Sequence, residues 1–369
     1  MSRRAFPAAL TKKSEPIVSQ ILRPRIWVSR PLFGDIIDRL RAFFDVEVET
    51  EDRSWTPGEV AFKLHEKQGA MLGVADPVTA EVIAQSAQLR AVANVAVGYD
   101  NLDLAALTAA GIVATNTPDV LNEAVADFAW ALLLATARRV GEGERYVRAD
   151  HWRTPSYNLL LGAEVHGRTL GILGMGRIGQ AIARRAAGFR MPVIYHNRSR
   201  LAPAIERECN ASHVGREELL RVADFLVLVL PLTAQNRHSI GAPELALMKP
   251  SAVLVNVARG GIVDDAALVE ALSDKRLAGA GLDVFENEPA LHPLLPTLDN
   301  AVLTPHIASA SVDTRRAMTS LAVDNLIAAL GFGPNAGRPP NVLNPDALHA
   351  SFRRGSSADR TRMDADKSG

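Results

Sequence analysis

Thr169-Leu170-Gly171-Ile172-Leu173-Gly174-Met175-Gly176-Arg177-Ile178-Gly179 is the stretch on which the fold turns. Five residues of strand composition run straight into Gly-x-Gly-x-x-Gly, and a helical pattern continues from Arg177 to Ala187, closed by Gly188. The glycine pattern alone is a weak signal. Set between a strand and a helix, it has the context of a dinucleotide-binding turn. Gly174 makes the tight turn, Gly176 lets backbone approach a pyrophosphate, and Gly179 allows the helix to pack closely on the strand. The helix start at Arg177 and Ile178 then offers free N–H groups and the positive end of its dipole to phosphate.

The alternation extends both ways from this turn. Downstream, strands are expected at Val193–His196, Phe225–Leu230, Ala252–Val257, Ala280–Val284 and Ala301–Thr304, with helices between them. With Thr169–Leu173 that makes six strands of one doubly wound parallel sheet. A last helix follows at about 311–330, and Pro339, Pro340 and Pro345 end the ordered chain. Upstream, Arg25–Ser29, Val46–Val48, Ala70–Val74, Arg90–Val95 and Ile112–Asn116 read as strands of a second parallel α/β unit. Between the units, Leu121, Val125, Phe128, Leu132, Thr136 and Val140 fall three or four apart on one long helix. Trp130, Leu133 and Leu134 widen that apolar face, so burial on two sides, between domains or subunits, is expected. The α/β class with two such units implies a cleft at the carboxyl ends of the strands.

Composition narrows the function. The 369 residues carry 41 basic and 41 acidic side chains, so the net charge is zero, which argues against a nucleic-acid partner. Even Phe225–Leu232, an apolar run of eight residues including Pro231, is far short of the roughly 18 that a membrane span needs. Cys209 is the single cysteine, which excludes an internal disulfide and a multi-cysteine metal site. No metal is expected, and a reducing, cytoplasmic setting fits best. Residues 1–22 are basic and lack an apolar core like that of a secretory signal, so a disordered extension is expected, with a transit peptide as the other reading. Residues 347–369 lack periodicity and read as a disordered tail.

The strand after the glycine turn ends in Asn197-Arg198-Ser199-Arg200. An NAD site normally places an acid there to hold the ribose hydroxyls. None appears before Glu206, whereas Arg198, Ser199 and Arg200 would welcome a 2′-phosphate. NADP(H) is therefore favoured over NAD(H). Reduction of a carbonyl also needs a cation to hold the substrate and an acid to protonate the developing alkoxide. Arg259, Glu288 and His306 each follow a buried-looking strand at its carboxyl end. A carboxylate beside an imidazole favours the charged ring, which suits a proton donor.

Together, Val97-Gly98-Tyr99-Asp100, Thr115-Asn116-Thr117-Pro118, GMGRIG, NVARGGIVDD, GLDVFENEP and LTPHIAS resemble the D-isomer-specific 2-hydroxyacid dehydrogenase family. The resemblance covers about residues 23–346 and is nearest to the glyoxylate/hydroxypyruvate reductase branch, called 2-ketogluconate reductase in bacteria. It implies a Rossmann cofactor domain, 119–310, inserted into a flavodoxin-like substrate domain, 23–118 and 311–346, in a homodimer. It implies that Arg259 binds the 2-oxo acid and that His306, paired with Glu288, is the acid–base residue. Backbone around Val97 and Gly98 would hold the substrate carboxylate. Asp283 and carbonyls near Val257 would hold the nicotinamide carboxamide, and Pro231 and Thr233 would border the adenosine. Trp152 and Tyr157 are candidates for an aromatic reaching a partner's site. The competing expectation is a nucleotide-sensing scaffold, similar to co-repressors of this fold, that turns nothing over.

Overall fold

The computed structural model describes residues 23–348; the expectations for residues 1–22 and for 349–369 lie outside them. The first unit runs β1 (Arg25–Val28), α1 (Gly34–Arg41), β2 (Asp45–Val48), α2 (Pro57–Leu64), β3 (Gly69–Leu72), α3 (Ala80–Ala84), β4 (Ala91–Asn94), α4 (Leu104–Ala109) and β5 (Val113–Thr115). Two helices, α5 (Asn122–Ala137) and α6 (Val140–Arg148), lead to the second unit. That unit opens with β6 (Leu170–Leu173), α7 (Arg177–Ala186), β7 (Val193–His196), α8 (Pro203–Glu208), β8 (Ala211–His213) and α9 (Arg216–Val222). It continues with β9 (Phe225–Leu228), α10 (Ala242–Leu247), β10 (Val253–Asn256), α11 (Asp265–Ser273), β11 (Gly279–Leu282) and β12 (Ala301–Leu303), and the chain leaves by α12 (Val312–Ala329).

Both sheets are wholly parallel. The first has the order β2-β1-β3-β4-β5, the flavodoxin-like winding. The second has the order β12-β11-β10-β9-β6-β7-β8, a Rossmann winding with a seventh strand beyond β11. The sequence reading gave this sheet six strands. The one it lacked is β8, three residues (Ala-Ser-His) too short and too polar to carry an apolar signal. Inner strands such as β3, β6 and β9 are buried at every residue, because helices cover both faces, and so their sequences are continuous apolar runs.

The long apolar helix is broken. Arg139 takes a left-handed conformation at φ 54°, α5 ends at Ala137, and Val140 begins a new helix with 56% of its surface exposed. Val125, Ala129, Trp130, Leu132 and Leu133 are buried as α5 packs on α7 and across β10, β11 and β12. Gly281 makes that approach possible: a Cβ there would meet Thr136 Oγ1 at 2.9 Å and Leu132 Cβ at 3.2 Å.

After β12 the chain returns to the first sheet, where α12 packs on β3, β4, β5 and α1. A Cβ on Gly69, at the start of β3, would meet Leu330 and Leu326 at 3.0 and 3.1 Å. The carboxyl end of α12 therefore lies at the amino ends of the strands, and its start at their carboxyl ends. Asn344 then seals β5, accepting from the Ala114 amide at 2.8 Å and donating to the Ile112 carbonyl at 2.9 Å. Order does not stop at 346: Ala347 is fully buried and Leu348 packs against the same core, so these first two residues of the expected tail belong to the fold.

Candidate active site

The carboxyl ends of both sheets face one cleft, and three strand-end loops of the second unit supply its chemistry. After β10, Asn256 fixes the turn by accepting from the Ala258 amide and donating to the Arg259 carbonyl, both at 3.1 Å. Gly260 is wedged against the next loop; a Cβ there would lie 1.6 Å from the Phe285 carbonyl oxygen, so no other residue fits. This delivers Arg259 to the cleft. Its Nη1 donates to the Ala258 carbonyl at 2.8 Å and its Nε to Asp100 Oδ1 at 3.0 Å, across to the first unit. Its Nη2 sits where a Gly98 Cβ would be, 1.5 Å away. The neighbouring amides of Val97 and Gly98 donate to no protein acceptor among the described residues. Two N–H groups without a protein acceptor among the described residues and a guanidinium nitrogen are thus neighbours, a donor set that could hold an anion.

The loops after β11 and β12 hold the other two residues. His306 Nδ1 and Glu288 Oε2 are 2.7 Å apart, and Glu288 Oε1 accepts from the Phe285 amide at 2.8 Å. With Nδ1 engaged, Nε2 is the ring nitrogen left to meet a ligand. His306 is itself left-handed at φ 54°, a costly conformation for a non-glycine residue that the surroundings must enforce. Asp283 enforces it. Its carbonyl accepts from the His306 amide at 2.8 Å, Oδ1 from the Ile307 amide and Thr304 Oγ1 at 2.9 and 2.7 Å, and Oδ2 from the Ala308 amide at 2.8 Å. Fully buried, this side chain braces the His306 loop. Beneath the neighbouring loop, Asp265 Oδ2 accepts from the Glu286 amide at 3.1 Å, and burial pushes the Asp265 carboxyl above its ordinary range.

At the other end of the cleft the glycine turn has the predicted form. Gly174 stands at φ 103°, and a Cβ would meet the Val229 carbonyl oxygen at 2.5 Å. A Cβ on Gly179 would meet the Gly174 carbonyl oxygen at 2.5 Å, whereas one on Gly176 would meet nothing within 4 Å. The middle glycine therefore keeps clear the space a pyrophosphate needs, and the residues present fit a dinucleotide. Ile178 packs into the core and Arg177 turns outward to pair with Asp119 at 3.0 Å. Asn197 Oδ1 accepts from the Met175 amide at 2.7 Å and ties the second strand's end to the turn. Val257 is buried at the end of β10, and Pro231 and Thr233 are exposed after β9, where Asn236 binds the Thr233 amide at 2.6 Å.

Arg200 is not the free cation the sequence suggested. Its Nε and Nη2 grip Glu206 at 2.9 and 2.8 Å, and the buried Tyr195 hydroxyl donates to the same carboxylate at 2.8 Å. Arg200 and Tyr195 hold the Glu206 carboxyl down at about 2, and burial pushes the Tyr195 hydroxyl up. Glu206, so engaged, is no substitute for the missing ribose acid. Arg198 and Ser199 remain exposed at the strand end without a side-chain partner among the described residues.

The sequence reading passed over Asp100, Asn94 and Asn101. Their signal was a polar residue interrupting the apolar run Ala91–Val97 and two more just past Gly98-Tyr99. Trp152 and Tyr157 are 55% and 96% exposed.

The D-isomer specific 2-hydroxyacid dehydrogenase NAD-binding domain profile matches residues 130–308. A glyoxylate reductase of Thermococcus onnurineus is 44% identical over 89% of this chain and 98% of its own. The chain belongs to the D-isomer-specific 2-hydroxyacid dehydrogenase family. Two solved members share the fold. The NADPH-dependent glyoxylate/hydroxypyruvate reductase of Sinorhizobium meliloti, in complex with NADP and malonate, is 36% identical with a TM-score of 0.78, over 88% of this chain and 98% of that one. A glyoxylate reductase from Paecilomyes thermophila is 32% identical with a TM-score of 0.77, over 87% and 98%. As a member of this family the protein is an NAD(P)-dependent dehydrogenase.

Proposed function

We propose that the protein reduces a small 2-oxo acid, glyoxylate or hydroxypyruvate, to the D-2-hydroxy acid with NADPH. What carries this reading is that Arg259 and the Glu288-held His306 follow the carboxyl ends of strands β10 and β12, on either side of β11. Arg259 Nη2 and the Val97 and Gly98 amides are matched to a carboxylate, and His306, held through Nδ1 by Glu288 at 2.7 Å, presents Nε2 to the adjacent carbonyl oxygen. Bound nicotinamide supplies the hydride. Arg259 and the two amides hold the acid in register, the guanidinium draws charge onto the carbonyl oxygen, and protonated His306 gives its Nε2 proton to the alkoxide as it forms. Glu288 keeps the ring oriented and offsets its charge.

The NADPH preference rests on Arg198 and Ser199, which stand free at the end of β7 where a 2′-phosphate would lie. We also infer a homodimer. Five of the twelve large apolar side chains exposed among the described residues, Val140, Val147, Trp152, Tyr157 and Leu161, fall within the 22 residues from 140 to 161, which suits a face covered by a second copy. Steady-state turnover of glyoxylate, hydroxypyruvate, 2-ketogluconate and pyruvate with NADPH and with NADH tests the reading. Turnover of the first two, faster with NADPH, is expected; no turnover of any would leave the nucleotide-sensing scaffold.

A further inference from the structure

The guanidinium assigned to substrate belongs to one sheet's loops and is aimed by the other's. Arg259 follows β10 of the second sheet; the carboxylate on its Nε, Asp100 at 3.0 Å, follows β4 of the first. With Nη1 on the Ala258 carbonyl at 2.8 Å, the planar group is fixed at two of its three nitrogens. Nη2 is the remaining one, free of protein acceptors and lying against Gly98. Only 20% of the Arg259 side chain is exposed, so its direction is not left to solvent.

The loop that carries Asp100 is in turn anchored on both sides of it. Asn94 Nδ2 donates to the Gly98 carbonyl at 2.8 Å. Asn101 Nδ2 donates to the carbonyls of Asp76 and Gly73 at 2.9 and 3.2 Å. Asp76, fully buried, accepts from Ser29 Oγ and the Gly73 amide at 2.6 Å each and from Arg30 Nη2 at 2.8 Å. This network joins the loops after β1, β3 and β4 into one rim, and Asp100 projects from it.

We propose that Asp100 is a positioning residue of the substrate site. It aims Arg259 across the cleft, so that the anion cradle exists only when the two units are together. The proposal rests on the reading of Arg259 given above. It makes a counter-intuitive claim about sign. A carboxylate beside an anion site repels the substrate, so on charge alone its loss would tighten binding. If its task is to aim Arg259, its loss weakens binding.

The test uses the full chain in complex with NADPH. Oxalate, which carries a matching carboxylate and is not reduced, reports the cradle through NADPH fluorescence, and glyoxylate turnover reports the reaction. Asp100→Ala is expected to weaken oxalate and lower kcat/KM about ten- to a hundredfold, the loss of one hydrogen bond to a charged group, while NADPH affinity holds. Asp100→Asn keeps an oxygen for Nε and should recover most of that loss. Asp100→Glu keeps the charge but displaces the guanidinium, and should lose as the alanine variant does; it replaces that variant if Asp100→Ala does not fold. Tighter oxalate in both Asp100→Ala and Asp100→Asn, or variants indistinguishable from the wild type, would overturn the proposal. If the wild type reduces no 2-oxo acid, the proposed function falls while the oxalate measurement still decides the role of Asp100.

Discussion

Single residues divide the site's work, and each division can be measured. Arg198 stands alone at the end of β7 because Arg200 is spent on Glu206. Arg198→Ala should therefore raise the KM for NADPH roughly ten- to a hundredfold, the range for one charge-assisted contact to phosphate, and leave NADH kinetics nearly untouched. An equal effect on both cofactors would place the 2′-phosphate elsewhere. His306→Ala should cost about a hundred- to ten-thousandfold in turnover. Cofactor fluorescence should survive, since no contact of His306 reaches the glycine turn. Reduction consumes a proton from the imidazole and oxidation returns one. In the wild type, reduction should therefore fall and oxidation rise as pH increases. Profiles that run parallel in the two directions would remove it from proton transfer.

Among elements, α5 shows how close packing leaves a cost. Thr136 lies against Gly281 of β11, and its buried hydroxyl has no hydrogen-bond partner. Thr136→Val keeps the shape and removes the stranded donor, so thermal unfolding should show a gain of about 1 kcal/mol. A lower melting temperature would mean the hydroxyl finds a partner in solution. The link between β7 and α8 is the opposite case. Tyr195 and Arg200 hold the Glu206 carboxyl near 2 in the fold, against 4.5 ordinarily. A depressed carboxyl stabilises the fold above its unfolded value and ceases to do so as pH falls through its folded one. Glu206→Gln should thus be less stable than the wild type at neutral pH. The gap between the two should close as pH falls from 4.5 toward 2. A gap constant with pH, in acid unfolding curves followed by circular dichroism, would show that the hydrogen bonds matter and the charge does not.

For the molecule as a whole, the exposed apolar segment around α6 makes a claim about assembly. The chain should elute as a dimer in size-exclusion chromatography with light scattering. Val147→Glu combined with Leu161→Glu should give monomers with the folded circular dichroism spectrum, because a desolvated carboxylate is costly in an apolar interface. A wild-type monomer at micromolar concentration would refute the homodimer and leave that face to another partner.

The sequence by itself determined the two α/β units, the glycine turn and the loops that carry Arg259, Glu288 and His306. Those features are local: runs of apolar residues, a fixed glycine spacing, and side chains placed directly after buried strands. Where local signal was thin the reading slipped. The polar β8 went unseen, and the apolar stripe through Val140 concealed a break, since left-handed Arg139 leaves no mark in periodicity. Only the tertiary structure decided that Arg200 is occupied, that Asp283 braces the His306 loop, and that Asp100 reaches Arg259. Each of these is a partnership between groups far apart in the chain or turned by a loop. Hydrogen bonds of that kind depend on direction and distance in space, and a one-dimensional pattern records neither.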